Sequence, residues 1–174
     1  MLIALNPGHF PGMDPGAVSA DGVEEATVVR AVGRVLQVIL ATKGIYCAWV
    51  EANELSDIVD QANDSDAALF ISLHANAAAN TDATGCETYC FPGSEEGQAL
   101  AAAIQTSLVN QLQLPDRGVK EASFYVLRNT SMPAALCELA FLSNPQEAKL
   151  LNDQNWQSKA AAAIADGVLD YLQK

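Results

Sequence analysis

The sequence predicts a single-domain α/β protein: a mostly parallel, twisted sheet of about six strands with helices on both faces. Two observations carry this. Short Val/Ile/Leu-rich runs alternate with longer stretches of helical period, the pattern of a parallel sheet flanked by helices. The 174 residues, half of them hydrophobic and 17% charged, suit one domain spanning 1–174 that buries roughly two-thirds of its unfolded surface. Neither a metal nor a disulfide is then needed merely to hold the chain folded.

The elements follow in order. Strands are predicted at Leu2 to Leu5, Ile45 to Val50, Ala67 to Leu73, Glu87 to Phe91, Phe124 to Leu127 and Ala134 to Leu139, each a short apolar run. Helices are predicted from Val23 to Thr42, Leu55 to Asn63, Glu95 to Gln113 and Asn155 to Leu172. Punctuation agrees with these limits. Lys43-Gly44 closes the first helix, Pro92-Gly93 breaks the chain after a strand, and Pro115 follows the third helix. No repeat or low-complexity linker marks a second domain.

Nine basic residues against 21 acidic ones give a formal charge of −12. Nucleic acid and anionic membrane surfaces are therefore poor partners. Cys47, Cys86, Cys90 and Cys137 show no CxxC spacing and sit in or beside apolar runs, so they read as buried thiols. Cys86 and Cys90 share one predicted strand, which would hold their Cα atoms about 13 Å apart, beyond the roughly 7 Å a disulfide tolerates. The opening Met1-Leu2-Ile3-Ala4-Leu5 is too short for a signal peptide or a membrane span. The numbered chain is expected to carry no export signal of its own.

Sites in such sheets gather beyond the carboxyl ends of the strands. Both histidines of the chain fall there. His9 follows Asn6-Pro7-Gly8, which suits a type II turn with Pro second and Gly third, and His74 ends the run Leu69-Phe70-Ile71-Ser72-Leu73. Either alone reads as a hydrogen-bonded structural histidine; two at one sheet edge point to a metal pair. Asp21-Gly22-Val23-Glu24 reads as a capping box, with Asp21 the cap and Glu24 reaching back. Glu25 then shares its helix face with Val29, Val32, Leu36 and Ile39, where a carboxylate needs a partner. A metal would serve, with a salt bridge as the alternative. Two imidazoles and a carboxylate form the ligand set of one class of catalytic zinc site. Glu138, set between apolar neighbours, is the candidate base, since burial raises and a cation lowers its pKa. An end-of-strand Glu facing solvent is the alternative there.

These residues lie within an ordered series of short motifs. The series runs from Asn6-Pro7-Gly8-His9 through Asp14-Pro15-Gly16-Ala17, Gly22-Val23-Glu24-Glu25 and Ser72-Leu73-His74-Ala75-Asn76 to Gly85-Cys86-Glu87-Thr88-Tyr89. It continues with Phe124-Tyr125-Val126-Leu127-Arg128 and Met132-Pro133-Ala134, then Glu138 and Phe141-Leu142-Ser143-Asn144. Over nearly its whole length the chain resembles the catalytic domain of the zinc-dependent N-acetylmuramoyl-L-alanine amidases. The resemblance implies one Zn2+ per chain held by His9, Glu25 and His74, with Glu138 as the catalytic carboxylate. It implies hydrolysis of the amide between N-acetylmuramic acid and the L-alanine of the stem peptide: zinc-activated water attacks the lactyl carbonyl, Glu138 takes its proton, and the amine departs. Arg128 is a candidate contact for an anionic substrate group, a surface ion pair being the alternative.

The resemblance further implies that peptidoglycan is the partner and that the chain acts on the cell wall, in the periplasm or outside the cell. A monomer is expected, and no activator protein. Activated members of the family carry a helical lid between the second histidine and the glutamate. Here the 63 residues between His74 and Glu138 are consumed by ordinary elements. Two departures stand out. Phe10-Pro11 replaces small residues after the first histidine, predicting a more apolar pocket mouth, and Trp49-Val50-Glu51 stands where the family commonly has Thr-Arg. A zinc peptidase with the same site, or a wall-binding module without catalysis, remains as an alternative from another class.

Overall fold

A computed structural model describes residues 1–173. Six strands form one sheet in the order β2-β1-β3-β6-β4-β5. They are β1 (Leu2–Pro7), β2 (Tyr46–Trp49), β3 (Leu69–Asn76), β4 (Cys86–Cys90), β5 (Asp116–Glu121) and β6 (Ala134–Phe141). All neighbouring pairs are parallel except β4 with β6. The central strands β3 and β6 are almost continuously apolar because helices cover both their faces.

The helices are α1 (Glu25–Thr42), α2 (Leu55–Asp64), α3 (Glu95–Leu112), α4 (Tyr125–Asn129), α5 (Pro145–Leu151) and α6 (Gln154–Leu172). On one face α1, α3 and α6 bury the larger core, which includes Ile3, Leu5, Leu36, Ile71, Ile104 and Ile164. On the other, α2 and α4 cover a smaller cluster of Ala4, Ile58, Phe70, Val126 and Leu136. Alternate residues of β1, β3 and β6 feed the two cores, as the period of two requires.

The helices α3 and α6 meet closely at Gly167. A Cβ there would lie 2.5 Å from the Ile104 Cα and 2.9 Å from the Ala103 carbonyl oxygen. Backbone cannot yield as a flexible side chain does. Gly167→Ala is therefore expected to lower unfolding free energy by about 1–3 kcal/mol, the usual cost of overpacking, despite alanine's better helix propensity. Urea unfolding checks this; an unchanged or raised midpoint would show that the helices separate without cost.

Three elements differ from the sequence expectation. Phe124 to Leu127 is not a strand but enters the short helix α4, in which Arg128 N–H donates to the Phe124 carbonyl at 2.9 Å. Adjacent Val126 and Leu127 are both buried, a helical rather than an alternating pattern. The strand beside β4 is instead Asp116–Glu121, whose polar sequence gives no apolar signal because it is an edge. Helix α5 has no counterpart in the sequence expectation; Asn144 caps it by accepting from the N–H groups of Gln146 and Glu147.

The Asp21 capping box does not form. Glu24 occupies the cap position of α1 without a side-chain cap bond, and Asp21 is exposed in the preceding turn. Loop carbonyls do the capping: Glu25 N–H donates to Ala17 and Ala26 N–H to Pro15. The loop before α1 is thereby fastened to the helix start, which leaves the Glu25 side chain free to face the sheet.

Candidate metal and catalytic centre

Strand β1 runs through Pro7, and Gly8 N–H still donates to the Leu73 carbonyl at 2.8 Å before the chain turns. The expected type II turn is absent, since the left-handed residue is His9, at φ 66°, and not Gly8. Gly8 is required for space instead. A Cβ on it would lie 2.3 Å from Cε1 of His74. Gly16 serves both purposes: its φ is +67°, and a Cβ would sit 2.6 Å from His9 Cδ2 and 2.7 Å from Glu25 Oε2. Backbone packed this tightly against both rings holds them in place.

Glu25 lies between the two imidazoles. His9 Nε2 is 3.2 Å from its Oε2, and His74 Nδ1 is 2.9 Å from its Oε1. The N–H groups of Ala17 and Ala75 donate to the same two oxygens, both at 2.9 Å. One ligand atom from each of His9, Glu25 and His74 lies within 4.8 Å of the others. Asp14 Oδ2 meets the other nitrogen of His9, Nδ1, at 2.7 Å, which favours a proton on Nδ1 and leaves Nε2 facing Glu25. Outer carboxylates orient metal-binding imidazoles in this way.

The charges follow from these contacts. The Glu25 hydrogen bond, opposed by burial and joined by Asp14, raises the His9 pKa to about 9. Burial pushes the Glu25 carboxyl up, but the hydrogen bonds of His74 and His9 outweigh it and hold it well below the usual carboxylate range. A buried anion thus sits beside two imidazoles.

Glu138 lies beside His74 in the β3–β6 register. As a residue it is half-buried, but its Oε2 is sealed from solvent and has no hydrogen-bond partner among the described residues. Burial, reinforced by the negative charges of Glu25 and Glu87 and opposed by the histidines, raises its pKa to about 7. An unpartnered carboxyl at such a place has a proton to give or take near neutral pH. It lines a cleft of about 480 Å³ together with His9 and His74; Leu55, Ile58, Phe124 and Tyr125 form its apolar side. The apolar mouth expected from Phe10 therefore comes from other residues, as Phe10 does not line the cleft.

Of the residues singled out in the sequence, His9, Glu25, His74 and Glu138 come together. Arg128 does not join them: it is exposed on α4 and lines a separate, smaller depression with Ser94 and Thr130. Asp14 carries no role in the sequence reading. Its signal there is its place in the motif Asp14-Pro15-Gly16-Ala17, five residues after a histidine. All four cysteines are free, and Cys86, Cys90 and Cys137 are buried.

Comparison with known proteins adds that residues 3–170 match the N-acetylmuramoyl-L-alanine amidase family. The chain belongs to this family. It is 34% identical over 177 residues to the N-acetylmuramoyl-L-alanine amidase LytC of Bacillus subtilis, covering 98% of this chain but only 35% of LytC. The amidase AmiC2 of Nostoc punctiforme superposes with a TM-score of 0.93 at 33% identity, over 100% of this chain and 98% of that one. The CwlD amidase of Clostridioides difficile, solved in complex with the GerS lipoprotein, gives 0.92 at 27% identity over 99% and 98%. Family members of known structure thus share this amidase's fold from end to end. Among its described residues, no helix is long and apolar enough to cross a membrane.

Proposed function

We propose that this amidase hydrolyses the amide between N-acetylmuramic acid and the L-alanine of the peptidoglycan stem peptide, with zinc held by His9, Glu25 and His74. The observation that carries the reading is the unpartnered Glu138 carboxyl in the cleft lined by His9 and His74, whose nitrogens converge with the buried Glu25 carboxylate. The donor set fits the ion: two imidazole nitrogens and one carboxylate match a three-ligand catalytic zinc site. Zinc, when bound, polarises a carbonyl oxygen and lowers the pKa of water to about 7.

The chain's own groups supply the rest. Asp14 fixes the His9 ring, while Ala17 and Ala75 N–H fix the Glu25 carboxylate. Glu138 accepts a proton from the attacking water and returns it to the departing alanine nitrogen, a double duty for which a pKa near neutrality suits it. Leu55, Ile58, Phe124 and Tyr125 offer apolar surface to the non-reacting parts of the substrate and help exclude water.

No activator belongs to this reading, and the chain acts alone as a monomer on the wall. Support comes from the segment between His74 and Glu138: Ser94 caps α3 directly, by accepting from Gly97 N–H, and the unexpected helix there, α4, is only five residues long and forms a wall of the cleft. One digest tests both parts. Purified wall treated with this chain alone is expected to gain free amino-terminal L-alanine. New carboxy-terminal residues in place of it would mark a peptidase, and clearance only after a second protein is added would remove the claim of autonomy.

Asp14→Ala tests the support given to His9. Loss of an outer-shell carboxylate typically weakens metal binding by about 10–100-fold. Zinc titration against a competing chelator is expected to show a loss of that size. Wild-type affinity would mean that Gly16 and Glu25 suffice to orient the ring.

A further inference from the structure

Beyond Glu138 the sheet carries a second group of charges that the hydrolysis does not use. Residues paired across strands share a face, and Glu138 pairs with Glu87 while Leu136 pairs with Tyr89. Tyr89 in turn pairs with Lys120 on β5. The reacting centre therefore continues as one row across β6, β4 and β5. A bulge opposite Glu87 extends it: three steps on β5, from Asp116 to Val119, face two on β4, from Cys86 to Thr88. Gly118, at φ +80°, takes up the turn. Without the extra residue Arg117 and Lys120 would point to opposite faces; with it both reach the same carboxylate.

That carboxylate is Glu87, 2% exposed, and its Oε2 receives Arg117 Nε at 2.6 Å and Lys120 Nζ at 2.5 Å. Its Oε1 accepts from the Tyr89 hydroxyl at 2.7 Å and Asn76 Nδ2 at 2.8 Å. Two cations thus share one anion. Their side chains remain 36% and 37% exposed, and each keeps N–H groups that Glu87 does not use. In a chain of charge −12, the trio of Arg117, Lys120 and Glu87 taken by itself carries one positive charge. Burying Glu87 fixes the two cations in place rather than cancelling them.

We propose that Lys120 and Arg117 bind the α-carboxylate of the second stem-peptide residue and so set substrate preference. The proposal rests on the amidase reading above. Reach selects the group. The cations are held over β4, one strand spacing of about 5 Å from β6, and a hydrogen bond adds roughly 3 Å. From the scissile nitrogen to the α-carboxylate of the next residue is about two extended residues, roughly 7 Å. The third residue of the stem lies too far along. The partly exposed Tyr89 ring, 5.0 Å from that of Phe124, joins this end of the row to the wall of the cleft.

The test compares two muramoyl tripeptides that differ at one group: L-alanyl-γ-D-glutamyl-L-lysine, with a free α-carboxylate, and the same peptide with that carboxylate amidated. The zinc-loaded chain is expected to favour the acid in kcat/KM by about tenfold or more, the size of a charge-assisted hydrogen bond, mainly through KM. Lys120→Gln should bring the ratio toward one, and Lys120→Arg should restore it. Structural damage would slow both substrates in proportion and leave the ratio standing. Equal use of acid and amide by the wild-type chain overturns the proposal without any variant, as does a ratio that Lys120→Gln leaves intact. If the wild-type chain cleaves neither peptide but digests wall at other bonds, the amidase reading itself falls and takes this one with it.

Discussion

Glu138→Gln is expected to lower turnover by at least about a hundredfold, the lower end for loss of a general base, while fold and zinc content persist. The amide is nearly isosteric with the carboxyl, and Glu138 is not among the three clustered donors. What changes is the capacity to carry a proton. Oε2 has no partner, so no network is broken by the exchange. The readout is single-turnover cleavage of a muramoyl peptide with metal analysis on the same sample. Native turnover in the variant would place the base elsewhere.

The same substitution has a stability consequence when the metal is chelated. Burial raises the Glu138 pKa to about 7, above the roughly 4.3 of an unfolded glutamate. Between those values the folded state binds more protons, so stability falls as pH rises through the window. The metal-free Glu138→Gln protein should lack this part of the pH dependence. It should therefore be the more stable of the two above pH 7.

Much of the fold was legible because its central strands are buried on both faces and announce themselves as apolar runs. The edge was not. Asp116–Glu121 pairs only with β4 and has Val119 as its sole large apolar residue, so periodicity offers nothing to read. Phe124 to Leu127 failed for the opposite reason: four apolar residues fit a strand or a helix turn equally, and only the packing of α4 over β6 decides. The two errors are linked. With a strand assigned to Phe124, the true partner of β4 had no place, and the charged row of Arg117 and Lys120 could not be seen.

The site was legible to the extent that its chemistry lies in rare residues. Two histidines at strand ends and a carboxylate on a buried helix face can be found without coordinates. Their support cannot. Asp21 fits a cap by local rules, yet carbonyls from Pro15 and Ala17 take that role because the preceding loop folds back over the helix start. Gly8 fits a turn by local rules, yet its lack of a side chain serves the ring of His74, a residue far away in sequence.

His74→Ala should abolish both metal binding and activity. Truncation leaves two of the three clustered donors, and losing a direct ligand should exceed the roughly 10–100-fold that an outer-shell loss costs. Chelated wild-type protein is expected to lose activity and regain it on adding zinc. The variant should not recover. Proton competition gives an independent check, because zinc requires the neutral imidazole and contact with Glu25 raises the His9 pKa to about 9. Below that value zinc must displace a proton from His9. Apparent zinc affinity in the wild type should therefore fall as pH drops below about 9, by up to about tenfold per pH unit for one proton. Full zinc occupancy and native turnover in His74→Ala would remove that residue from the metal site, and a pH-independent affinity would mean that His9 carries no proton for zinc to displace.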